Sequence, residues 1–194
     1  SNAMTDTVDF PDPSFGDRPN PVGWLDAHRM DEVRSLLPLV YVDAVPVRVD
    51  ESGDVIQVGL LLRATESGHM MRALVSGRVM YHERVRDALV RHIEKDLGPV
   101  ALPSIPASPQ PFTVAEYFPT PGVTPFYDDR HHAVSLAYIV PVRGDCSPQQ
   151  NNLELTWLTP EEACSPRILA HMQGGQDMLL KQALAHAGRL PDLS

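Results

Sequence analysis

Five residues whose types could do chemistry stand close together in mid-chain: Glu83, Arg91, His92, Lys95 and Asp96, all within GRVMYHERVRDALVRHIEKDLG, Gly77 to Gly98. Carboxylates there could hold a hard cation or move a proton, and the basic side chains could hold a phosphate through charge-assisted hydrogen bonds. Val85, Leu89, Ile93 and Leu97 recur at fourfold spacing with charges between them, which predicts an amphipathic helix from Glu83 to Leu97, ended by Gly98 and Pro99. Residues three and four apart share a helix face, so His92, Lys95 and Asp96 converge on one point beside the loop from Gly77 to Glu83. Glu94 lies on a different face.

The charge pattern favours an anion as the thing bound. The whole chain carries −9, from 16 Lys plus Arg against 25 Asp plus Glu, a surface that repels polyanions; nucleic acid is not an expected partner. From Arg63 to Asp96, however, seven basic residues (Arg63, Arg72, Arg78, Arg84, Arg86, Arg91 and Lys95) stand against five acidic ones, while the remainder carries nine against twenty. A basic region in an acidic protein suits a small phosphate-bearing ligand, with Arg78, Arg91, His92 and Lys95 as its candidate contacts. The plainer alternative makes these arginines a solvated face and has Arg91 order the loop by pairing with Glu83.

The elements that must position this helix are legible in outline. Asp26 can cap a helix to about Leu37, with Leu25, Met30, Val33, Leu36 and Leu37 at helical spacing and Pro38 as its stop. LVYVDAVPVRVD, the turn cluster DESGD and VIQVGLLLRAT read as a β-hairpin, followed by a short strand at Met71 to Val75 and a turn at Ser76-Gly77. Eight of the 19 prolines fall between Pro99 and Pro125, so that stretch cannot be mostly helix. Strands follow near Phe112 to Phe118, at HAVSLAYIVPV after a loop from Pro119 to Arg130, and at LELTWLT. Thr159-Pro160-Glu161-Glu162 then marks a helix start, and Gln176 to Ala187 a last helix ending at Gly188. Strands and helices are mixed, giving an α/β class. Met70 and Met71 are expected as core fillers, Tyr138 and Trp157 as core or pocket wall.

The segment from Gly77 to Gly98 resembles the Nudix box, G-x5-E-x7-R-E-U-x-E-E-x-G-U with U a bulky apolar residue. Glu83, Arg91, Ile93, Asp96 and Gly98 fall in register, and the preceding hairpin and the late strand LELTWLTPEEA resemble the flanks of that family, so the likeness runs from about Val40 to the chain end. It implies a Nudix-type mixed sheet sandwiched between helices. In Nudix hydrolases the acids of R-E-U-x-E-E bind magnesium. Here His92 and Lys95 stand at two of those places and Asp96 alone keeps a carboxylate; the box is degenerate. The resemblance implies Glu83 and Asp96 as catalytic residues and as the remaining metal ligands for magnesium, a role that the Lys95 ammonium opposes. Val75 and Ser76 replace the proline and glycine usual before the box.

Two functions follow as expectations. One is a catalytically silent Nudix-fold module that binds a nucleotide-like or phosphate-bearing ligand with weak or no hydrolysis; the other is an active hydrolase cleaving a nucleoside diphosphate linked to another moiety. The loop DDRHH (Asp128 to His132) could join Glu83, His92 and Asp96 in a borderline-metal site, with at most one of His131 and His132 facing it; Asp128, Asp129 and Glu116 are the candidates for the family's extra acid. No Walker A, dinucleotide-binding glycine run or nucleophile elbow occurs. Residues 1–21, an expression remnant and a proline-rich arm, are expected to precede a single domain over 22–194. Two cysteines without metal spacing read as free thiols. No apolar run approaches the ~20 residues that span a bilayer, and no basic-then-apolar leader is visible, so a cytoplasmic protein without a membrane partner is expected. The resemblance adds a homodimer.

Overall fold

Strand β1 (Leu39–Val49) is the spine of an eight-stranded mixed sheet in the computed structural model, which describes residues 23–192. The expected arm over 1–21 lies outside the described residues. With β2 (Val55–Ala64), β3 (Met70–Ala73), β4 (Val75–Arg78), β5 (Thr113–Phe118), β6 (Phe126–Tyr127), β7 (Ala133–Pro141) and β8 (Asn152–Leu158), the main strand order is β3-β2-β1-β7-β5-β6. β1 runs parallel to β7 along its length; on its other edge β4 pairs antiparallel with Tyr41 to Ala44 and β2 with Val47 to Val49. β8 pairs with β2. A strand that central is covered on both faces, which is why β1 reads as a nearly unbroken apolar run.

Helices cover both faces. On one, Met30 of α1 (Ala27–Leu36), Ile168 of α4 (Pro166–Leu169) and Leu179, Leu180 and Leu184 of α5 (Gln176–His186) pack with Tyr41, Val45, Val47, Leu60 and Ala115. On the other, Ala88, Leu89, Ile93 and Leu97 of α2 (Val85–Leu97) pack on Val42, Ala44, Leu61, Val75, Tyr138 and Val140. The mixed sheet between helices is therefore the architecture observed. Thr159 and Glu162 form the capping box of α3 (Pro160–Ala163), as their spacing predicts. Cys146 and Cys164 are free. Among the described residues no helix is long and apolar enough to cross a membrane.

Four details differ from the sequence reading. The expected strand from Met71 to Val75 is two strands: β3 pairs with β2 as far as Ala73, β4 pairs with β1 from Val75, and between them the Leu74 N–H donates to Gln176 Oε1 at 3.2 Å. Ser76 and Gly77 are then part of β4 rather than a turn. Helix α2 starts at Val85, since Glu83 is held in the loop by the Met80 N–H, 3.0 Å from Oε1. Leu36, Leu37 and Met70 are exposed, the apolar stripe of α1 reaching the core chiefly through Met30.

Candidate functional site

Gly77 has no side chain because an imidazole lies on it. A Cβ built at Gly77 would stand 2.0 Å from the His92 ring, so β4 and α2 approach as they do only with glycine here. His92 is buried, and its Nε2 donates to the Arg78 carbonyl at 2.9 Å, leaving Nδ1 an enclosed acceptor with no hydrogen-bond partner among the described residues. Burial first, then the charges of Lys95 and Arg91, holds this imidazole neutral, well below the usual histidine pKa. Because the fold resists a proton that the unfolded chain accepts, His92 stabilises the fold above about pH 6.5 and that contribution is lost as the pH falls below it, at roughly 1.4 kcal/mol per pH unit. Denaturant unfolding between pH 7 and 5 should therefore show a steeper loss for the native chain than for His92→Gln; equal slopes would remove this account of His92.

Two arginines tie the loop between β4 and α2. Arg91 reaches Glu83 through Nε to Oε2 at 2.8 Å and Nη2 to Oε1 at 2.9 Å, and Nη2 also donates to the Arg78 carbonyl at 3.0 Å. With both side chains largely buried and Glu83 also accepting from Met80, this pair closes the loop. The Arg78 guanidinium is buried too and donates to the Gly23 carbonyl at 2.8 Å.

At the far end of the same helix face, Asp96 meets β2 and β8. Its Oδ1 accepts from Asn152 Nδ2 at 3.2 Å, and its Oδ2 lies 3.5 Å from Arg63 Nη2. Asn152 Oδ1 in turn accepts from Arg63 Nε at 2.6 Å, so the three side chains form one cluster. Lys95, half-buried between Glu94 and Asp96 in sequence, has no hydrogen bond or ion pair among the described residues. Magnesium does not suit these donors. His92 spends Nε2 on a carbonyl, Lys95 is an ammonium, Glu83 is clasped by Arg91, and Asp96 already faces a guanidinium. Among the described residues no group of three or more His, Cys, Asp or Glu could hold a metal ion.

A cavity of about 590 Å³ opens beside this cluster, with Arg63 in its wall. Tyr41, Leu74, Tyr117 and Ala133 of its wall belong to the core on the α5 side, and Met71 and Ala73 to the core on the α2 side. Arg63, Thr65, Ser67, Ser76, the loop from Tyr127 to His131 and Gln176 are also in the wall. Under its floor, Asp43 Oδ2 accepts from Ser135 Oγ at 2.7 Å and Tyr117 Oη at 3.1 Å; burial and the Asp43 charge push the Tyr117 hydroxyl well above its usual pKa. In the wall Arg130 holds Asp128 with Nη2 to Oδ2 at 2.6 Å. Burial raises the Asp128 carboxyl, but the Arg130 hydrogen bonds and charge, with His131, bring it below its ordinary value.

The structure thus separates the expected site from the cavity. Glu83, Arg91, His92, Lys95 and Asp96 share the region of α2, yet none of them lines the cavity, and Arg78, Arg91 and His92 are committed to internal partners. Of the DDRHH loop, His131 is buried against Tyr41 and His132 stacks on Phe118; both precede β7, which begins at Ala133, so the strand alternation expected for them does not apply. Asp128 and Asp129 line the cavity; Glu116 is exposed and is not in its wall. Arg63 and Asn152 were given no role by the sequence. A charge at the end of the apolar run VGLLL was the available signal for Arg63; Asn152 had none.

Comparison with known proteins agrees with this architecture. The model of the family described as Domain of unknown function (DUF4916) matches residues 20–189. Among solved structures, the E. coli ORF135 protein is similar at 19% identity and TM-score 0.54, covering 80% of this chain and 96% of that one. A NUDIX-family hydrolase from Clostridium perfringens is similar at 15% identity and TM-score 0.54, over 78% of this chain and 99% of that one. The NUDIX domain of Shewanella oneidensis NrtR, solved in complex with ADP ribose, is similar at 15% identity and TM-score 0.55, over 77% and 88%. No curated protein matches the sequence. At these identities the likeness shows the fold, which is Nudix-type.

Proposed function

The chain belongs to the family described as Domain of unknown function (DUF4916), on a Nudix-type fold, and from that premise we propose that it is a binding module for a small nucleotide-like or phosphate-bearing ligand, with weak or no hydrolysis and no dependence on magnesium. The observation that supports this reading is the Arg63–Asp96 pair: the one carboxylate left at the family's metal-binding places faces a guanidinium. Lys95, without a partner on the same helix face, supplies a second positive charge where the family uses acids. Arg78, Arg91 and His92 then serve by shaping the loop, and Glu83 by closing it, rather than by touching a reacting atom. Fold alone does not fix activity, so the reading rests on these side chains.

The wider reading is one Nudix-like domain over 22–194, acting in the cytoplasm on a small molecule and not on nucleic acid or membrane; the homodimer implied by the resemblance is checked by light scattering. The complex of the similar Shewanella domain makes ADP-ribose the first ligand to try. A thermal-shift panel of ADP-ribose, ADP and a dinucleoside polyphosphate in EDTA should raise the melting temperature with at least one of them, a hundredfold excess over Kd adding about 2.7 kcal/mol. Phosphate release should stay at background. No shift with any ligand, or rapid magnesium-dependent turnover, would overturn the proposal.

A further inference from the structure

We infer that Arg63 is the anion-binding residue of the cavity, and that Asp96, standing where Nudix hydrolases keep a metal ligand, is the positioning residue that holds the Arg63 guanidinium in place. This deepens the reading above and rests on it. Three largely buried arginine–carboxylate pairs, two of them with the arginine in the cavity wall, differ in kind. Arg91–Glu83 and Arg130–Asp128 are closed by hydrogen bonds of 2.6–2.9 Å on two donors each. Arg63–Asp96 is open: Nη2 stands 3.5 Å from Oδ2, and among the described residues the buried Oδ2 accepts no hydrogen bond.

Orientation is nevertheless fixed. Arg63 Nε is held by Asn152 Oδ1 at 2.6 Å, and Asn152 Nδ2 is itself anchored on Asp96 Oδ1 and on the Gln149 carbonyl at 2.8 Å. The guanidinium plane is thereby set from one edge. No hydrogen bond among the described residues uses Nη1, and the side chain, 15% exposed, lines the cavity. A planar donor fork held on one side and unused on the other is suited to a phosphate oxygen, and it loses little freedom on binding one. The wall also holds the hydroxyls of Thr65 and Ser67, bonded to each other at 2.9 Å, and the carboxylates of Glu66, Asp128 and Asp129, so Arg63 is the cation that a bound anion would have to meet. The arrangement inverts the usual use of this carboxylate: it orients a fixed cation of the chain itself.

The test is calorimetric titration of ADP and of inorganic pyrophosphate in EDTA, with melting curves on every variant. Arg63→Lys keeps the charge near Asp96 but cannot donate from two fixed edges, and both it and Arg63→Gln should weaken binding of either probe by about tenfold to a hundredfold. Arg143→Gln, which removes an exposed positive charge outside the cavity wall, should not. Asp96→Asn should weaken binding in the native background and have no further effect in Arg63→Gln, a dependence that a merely structural role would not produce. Added guanidinium at millimolar concentration should restore binding to Arg63→Ala. Unchanged affinity in Arg63→Lys and Arg63→Gln, with the native chain binding, overturns this assignment and leaves the proposed function standing. If the native chain binds neither these probes nor any ligand of the thermal-shift panel, both fall.

Discussion

Replacing Gly77 by alanine is expected to cost about 3 kcal/mol or more of stability, the upper range for forcing an extra carbon into a closed site. The Cβ would stand 2.0 Å from His92 Cε1 and 2.3 Å from Nδ1, and the ring cannot swing away without giving up its bond to the Arg78 carbonyl. The damage should depend on the imidazole. In a chain that also carries His92→Ala the added methyl meets space, so the double variant should be more stable than Gly77→Ala alone despite two substitutions. Urea unfolding of the four proteins checks this; a Gly77→Ala chain that melts like the native one would mean that the ring does not fill the place beside β4.

Arg91→Ala should be comparably damaging, at about 3 kcal/mol, because it strands a largely buried carboxylate. Glu83 would keep the Met80 N–H and lose both guanidinium contacts, and the Arg78 carbonyl would keep His92 alone. Glu83→Gln should cost less: its amide oxygen can still accept from Met80 and one Arg91 N–H. A loss below about 1 kcal/mol in Arg91→Ala, by the same unfolding measurement, would mean the loop is held elsewhere.

The parts legible in the sequence were those governed by short-range pattern. Val85, Leu89 and Ile93 announced the buried face of α2, and Thr159 to Glu162 the capping box of α3; the pairing of Arg91 with Glu83 stood among the alternatives. Long-range partners were not legible. Arg63 and Asn152 are 89 residues apart and Asn152 and Asp96 are 56 apart, so only the fold brings them to one point. His92 read as a polar residue open to a ligand because nothing in the helix period says what lies above it; the glycine that makes room for its ring is on a strand. Leu74 was assigned to a continuous strand since its apolar character fits either core, and the Gln176 amide that turns it lies 102 residues on. The exposure of Leu36 and Leu37 has the same origin: spacing gives a stripe but not how far the sheet beneath it extends.

On the proposed function, the positive charge serving a bound phosphate belongs to the chain and not to a metal ion. This is tested most directly by titrating ADP-ribose, calorimetrically, into the native protein first in EDTA and then in millimolar magnesium. The account predicts the same dissociation constant in both, weakening with added sodium chloride as ion pairing requires. Binding that appears only with magnesium, and that Asp96→Asn abolishes, would contradict it.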